Sequence, residues 1–84
     1  MMSLQASTTM DFSQVRKGTR GKVVHIPATL PDLKRLQEMG LVEGTEFLVI
    51  KVAPLGDPIE IEIRGYRLCL RKRETSGIEV EVLG

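Results

Sequence analysis

The chain has 84 residues, a net charge of +1, 27% charged side chains and one cysteine, Cys69. These values fit one globular domain; they exclude an internal disulfide framework and a strong whole-molecule field toward nucleic acid or acidic lipid. A chain this short buries about 60% of its unfolded surface, which leaves no room for a deep enzymatic cleft beside its core.

The opening "MMSLQASTTM" has no basic n-region and no long apolar run, so it does not read as a signal peptide. No stretch approaches the ~20 apolar residues of a membrane span. A reducing cytoplasm is the simplest compartment. The same segment lacks a repeating apolar face, so residues 1–10 are expected to form a flexible tail and residues 11–84 the domain.

In "DFSQVRKGTRGKVVHI", Phe12 and Val15 lie three apart and suit a single helical turn laid against a barrel end. Gly18 and Gly21 punctuate the chain, and "RGKVVHI" reads as the first strand. Pro27 stops it. A helix follows from about Pro31 to Met39, with Pro31 in its first turn and Asp32 complementing its positive end. Leu33 and Leu36 mark its inner stripe, which Leu33 and Gln37 flank, while Lys34, Arg35 and Glu38 face water. Gly40 falls where a left-handed residue ends helices, and Leu41 can then touch Leu36, as in a Schellman cap.

After "VEG", the run "TEFLVIKV" is apolar on both faces, which suits a central bent strand. "APLGDP" is the next loop. Ile59, Ile61 and Ile63 then alternate with Glu60, Glu62 and Arg64. Gly65-Tyr66 reads as a two-residue hairpin turn, which sets Ile63 opposite Leu68, Ile61 opposite Leu70 and Glu60 opposite Arg71. "ETSG" turns again. "IEVEV" closes the fold with Ile78, Val80 and Val82 inward.

The pattern predicts a mainly β domain: a small SH3-like five-stranded barrel with one short helix between strands 1 and 2. Closure removes exposed strand edges. An OB-type barrel is the alternative, but its helix usually comes later in the chain.

"RLQEMGLVEGTEFLVI", "APLGDPIEIEIRGYRLCLRKRE" and "IEVEV", in that order, resemble the FeoA family, and the resemblance runs from Phe12 to Val82. Leu36, Met39, Gly40, Leu41, Gly44 and Gly65 carry its structural motif. The resemblance implies an SH3-like barrel that serves ferrous-iron uptake as a cytoplasmic partner of FeoB, a membrane transporter with a GTP-binding domain. FeoA-like domains also end metal-dependent repressors, but this chain has no room for a helix-turn-helix.

Catalysis has few candidates. There is one histidine, one cysteine, and serines only at positions 3, 7, 13 and 76, with no nucleophile–base spacing. "GTRGK" lacks the phosphate-loop spacing. His25 and Cys69 are the metal candidates, yet neither sits in a ligand motif. The plainer reading makes His25 a strand-end residue and Cys69 a small half-buried one. No firm cofactor follows, and any divalent metal, Fe2+ or Zn2+, would be held weakly. A nucleic-acid-binding barrel is the rival function, drawn from "VRKGTRGKVVHI" and "LRKR", but the stacking aromatics it needs are nearly missing. The remaining candidate is a protein-docking surface of Arg35 and Gln37 on the helix, the loop Pro54-Leu55-Gly56-Asp57-Pro58, and Tyr66 at the hairpin tip. Leu55 either folds onto the barrel or faces a partner. Met39 is assigned to the core.

Overall fold

The computed structural model describes residues 9–84. In chain order it contains β1 (Thr9–Asp11), a 3-10 turn (Phe12–Gln14), β2 (Arg20–His25), α1 (Leu33–Glu38), β3 (Glu46–Val52), β4 (Ile59–Ile63), β5 (Tyr66–Leu70), α2 (Lys72–Thr75) and β6 (Glu79–Val82). The strands form one antiparallel sheet in the order β1-β6-β2-β3-β4-β5. Its concave side holds a core that includes Phe12, Val23, Leu36, Leu41, Val49, Ile59, Ile61, Ile63, Leu70, Ile78 and Val80.

There is one strand more than expected. Thr9 and Met10, assigned to the tail from the sequence, pair with Glu81 and Val80 as part of β1. The rest of the expected tail lies outside the described residues. Three residues are too few for alternation to show, so this strand had no periodic signal. Asp11 fixes its exit. One carboxylate oxygen accepts the Ser13 N–H at 2.9 Å, and the other accepts the Gly77 N–H at 2.8 Å. The first bond starts the 3-10 turn, and the second ties that turn to the loop before β6.

The long apolar run is the bent strand its composition suggested. Glu46, Phe47 and Leu48 of β3 pair with β2, while Leu48 to Val52 pair with β4. The β3–β4 register shifts between Val49 and Lys51, an irregularity of the kind that bends a strand. One strand therefore serves both halves of the sheet, with Phe47 and Val49 buried and Leu48 and Ile50 half-buried.

The β4–β5 hairpin turns one residue earlier than the sequence suggested. Its corner is Arg64-Gly65, both at positive φ (47° and 88°), and Ile63 pairs with Tyr66. Positive φ at both central residues is the type I′ requirement, which fits the right-handed twist of the strands. Ile61 therefore faces Leu68, Ile59 faces Leu70, and Glu60 faces Cys69 rather than Arg71. Each pairing has slipped by two positions. A two-residue slip preserves faces, so the predicted interior survives the error.

Candidate functional site

Helix α1 is shorter than read, because Leu30 to Leu33 form a turn ahead of it, with the Leu33 N–H on the Leu30 carbonyl at 3.3 Å. Its end matches the expected cap. The Leu41 N–H donates to the Leu36 carbonyl at 2.9 Å and the Gly40 N–H to the Gln37 carbonyl at 3.0 Å, the paired bonds of a Schellman motif. Gly40 has φ +94°, and Leu36 and Leu41 are both fully buried. The next turn is closed by Thr45, whose hydroxyl donates to the Gly40 carbonyl at 2.9 Å, and by Gly44, whose N–H reaches Val23 at 2.7 Å.

Three side-chain ties then bring distant segments together. The Tyr66 hydroxyl donates to the Met39 carbonyl, fastening the start of β5 to the end of α1. Arg35 pairs with Glu74, fastening α1 to α2. Asp57 accepts the Lys72 N–H at 3.0 Å, fastening the β3–β4 loop to α2. Met39 packs against the core as expected, and its sulfur takes a weak contact from Arg35 at 3.8 Å.

Within the loop, the Gly56 N–H donates to Ala53 at 2.7 Å and the Ala53 N–H to Pro58 at 3.1 Å. Pro54 and Leu55 form the tip, and the Asp57–Pro58 peptide is cis. The question over Leu55 is answered: it is 93% exposed and does not fold onto the barrel. Arg35, Tyr66 and the loop thus belong to one tied assembly through α1 and α2. Gln37 does not share the Arg35 face. It lies two residues on, roughly 200° round the helix. It lines a separate cleft of about 430 Å³ with Ile26, Ala28, Leu33, Val42 and Glu43.

Sequence reasoning missed α2 and its Glu74. One turn of helix has no periodicity to detect, and its leading residue, Arg71, is not a capping type. Glu74 supplies the cap from inside: its carboxylate accepts the Arg71 N–H at 2.9 Å. That bond, together with Arg35, holds the carboxyl below its ordinary range against the effect of burial. Asp11 was missed as well, although Asp ahead of a helical turn is a capping signal. Burial pushes the Asp11 carboxyl up, but the Ser13 hydroxyl and N–H and the Gly77 N–H together bring it below its usual value.

The metal candidates are not brought together. His25 ends β2 beside Glu43, with Nδ1 3.7 Å from its carboxylate, and Cys69 lies on β5 with two strands between them. Cys69 is exposed rather than half-buried. Glu60, its cross-strand neighbour, faces Arg67 at 3.6 Å. Among the described residues no three His, Cys, Asp or Glu side chains gather as a metal-binding group. The aromatic residues do not form a stacking platform either. Phe12 and Phe47 are buried against each other with ring centroids 5.2 Å apart, and the Tyr66 hydroxyl is engaged. No described helix is long and apolar enough to cross a membrane.

The FeoA domain profile matches residues 10–82. The chain belongs to the FeoA family. It is 34% identical over 74 residues to an Fe(2+) transport protein A/Fe(2+) transporter FeoB fusion protein of Porphyromonas gingivalis, covering 88% of this chain but only 9% of that protein. An FeoA-like protein from Clostridium acetobutylicum superposes with a TM-score of 0.82 at 36% identity, covering 95% of this chain and 92% of that one. A Stenotrophomonas maltophilia FeoA complexed with zinc, described as a procaryotic SH3 domain protein, gives 0.66 at 27% identity, covering 84% and 88%. These FeoA structures support the expected SH3-like fold, here with its sixth strand and second helix.

Proposed function

We propose that this FeoA-family chain is a non-enzymatic accessory module of ferrous-iron uptake that docks on the cytoplasmic part of a FeoB-type GTPase transporter and modulates it. The observation that carries the reading is the Porphyromonas gingivalis relative, in which FeoA and FeoB sequences are joined in one protein. Joining two modules raises their mutual concentration to roughly millimolar when the linker permits contact, which favours action at one place. The tied assembly of α1, the Pro54–Pro58 loop, Tyr66 and α2 is the surface that the proposal assigns to docking.

The test is binding of this chain to a full-length FeoB-type transporter in neutral-lipid nanodiscs, with GTP hydrolysis followed in parallel. Saturable binding with an altered hydrolysis rate is expected. Neither binding nor a rate change at a large excess of the chain would refute the proposal. Metal has no assigned part in docking. Titration with Fe(II) or Zn(II), watched by NMR at His25 and Cys69, is expected to give no saturable shift at stoichiometric metal.

A further inference from the structure

We infer that the docking partner offers an apolar pocket rimmed by carboxylates, with Leu55 as the knob that fills it and Arg71, Lys72 and Arg73 as the cations that meet its rim. The inference rests on the docking function proposed above and specifies the chemistry of that contact. Leu55 is nearly fully exposed at the tip of a loop closed by its own hydrogen bonds. A large apolar side chain held in water on a rigid turn needs little further ordering when it binds.

The carboxylates near the tip already have partners. Asp57 is used on the Lys72 N–H, Glu60 faces Arg67, and Glu74 is used on Arg35 and the Arg71 N–H, its side chain only 13% exposed. Among the described residues, the exposed Arg71, Lys72 and Arg73 form no salt bridge, although the charge of Arg73 is close enough to Glu74 to help lower its carboxyl. Lys72 also stands directly over the loop, since a Cβ built on Gly56 would lie 3.0 Å from its Nζ. Lys72 stands beside the knob, with Arg71 just before it and Arg73 just after it in the chain, so this end of the loop carries an excess of positive charge. Its complement is a negative rim around an apolar hole.

A bilayer fits less well. Interfacial binding grows with broad apolar area, and a single acyl chain gives only marginal attachment. The apolar area at this tip is one leucine and the proline before it. The other exposed large aliphatic residues, Val24, Val42 and Leu83, belong to β2, the turn before β3 and the chain end.

The experiment uses the full chain, the full-length transporter in neutral nanodiscs, and two variants, Leu55→Ala and Lys72→Glu/Arg73→Glu. Both alter exposed side chains, and the Asp57 bond to the Lys72 backbone N–H is kept. Unchanged circular dichroism and thermal midpoints establish folding. Leu55→Ala is expected to raise Kd about 10- to 100-fold. The charge-reversed pair is expected to slow association about tenfold or more at low salt and to lose the salt dependence of the wild type. Wild-type binding with both variants within twofold of it would overturn this assignment and leave the docking function standing. Absence of wild-type binding would overturn the docking function, and this inference with it. Binding to transporter-free vesicles of 30% phosphatidylserine, lost in the same variants, would make the membrane the occupant and overturn the protein pocket.

Discussion

Replacing Gly40 with alanine tests the geometry that joins α1 to the hairpin. Gly40 sits at φ +94° in the Schellman cap, and a Cβ there would lie 2.7 Å from the Tyr66 hydroxyl oxygen. The left-handed backbone costs an L-residue about 1–2 kcal/mol. The methyl group must also push the hydroxyl off the Met39 carbonyl, and losing that hydrogen bond costs about 0.5–1.5 kcal/mol. Gly40→Ala should therefore destabilise by about 1.5–3.5 kcal/mol, or roughly 10–20 °C in Tm for a domain of this size. Tyr66→Phe removes the obstructing oxygen, so in that background Gly40→Ala should cost only the backbone strain. Urea unfolding of the four proteins of this cycle, followed by circular dichroism, measures both parts. Additivity within about 0.3 kcal/mol would refute the Tyr66 contact. A Gly40→Ala cost near zero would refute the left-handed cap itself.

Leu36→Ala removes a fully buried side chain from the inner face of α1 and should cost about 2–5 kcal/mol in urea unfolding, with an unchanged m value. Glu74→Ala should cost more than Arg35→Ala. The ion pair alone is half-exposed on the arginine side and contributes about 0–1 kcal/mol, while Glu74 also caps the Arg71 N–H, a further contribution of about 0.5–2 kcal/mol. Equal effects on thermal stability would show that the cap contributes nothing. For Asp11, whose folded carboxyl is lowered, the stabilisation is present above the unfolded value near ~3.9 and is lost as pH falls through the folded one. The stability gap between wild type and Asp11→Asn should therefore narrow below about pH 4, and a gap constant from pH 6 to pH 2.5 in urea midpoints would contradict it.

The parts of the fold legible in the sequence are those that burial dictates over several residues. Ile59-Ile61-Ile63 and Ile78-Val80 declare their inner faces by strict alternation, and all five are buried. Gly40 and Leu41 declare the helix end because only a left-handed residue followed by an apolar one completes that cap. The hairpin register was not legible, since Arg64-Gly65 and Gly65-Tyr66 each offer a glycine to the corner, and both registers bury the same isoleucines. β1 and α2 were illegible for another reason: each is held by long-range bonds, Asp11 to Gly77 and Arg35 to Glu74, that no local window contains. The surface proposed for docking was half legible. Leu55 stood out as an apolar residue in a tight loop, but its exposure and the Lys72 ammonium beside it depend on where α2 packs.

That dependence bears on how the surface can act. Its segments come from four places in the chain and share no strand ladder, apart from Tyr66 in β5. They are fixed instead by a tyrosine hydroxyl on a carbonyl, a carboxylate on a backbone N–H and one arginine–glutamate pair. Two of these ties end on backbone atoms, whose positions the core controls through Leu36 and Leu70. A partner that meets Leu55 and Lys72 therefore meets groups referred to the core and not to a free loop. Docking as proposed would need little reorganisation of this surface, and its selectivity would lie in whether the partner can accept an apolar knob and the cations beside it together. A partner with the pocket but a basic rim would be rejected by like charge. One with the acidic rim but no pocket would leave Leu55 in water and gain only the screened attraction of exposed charges.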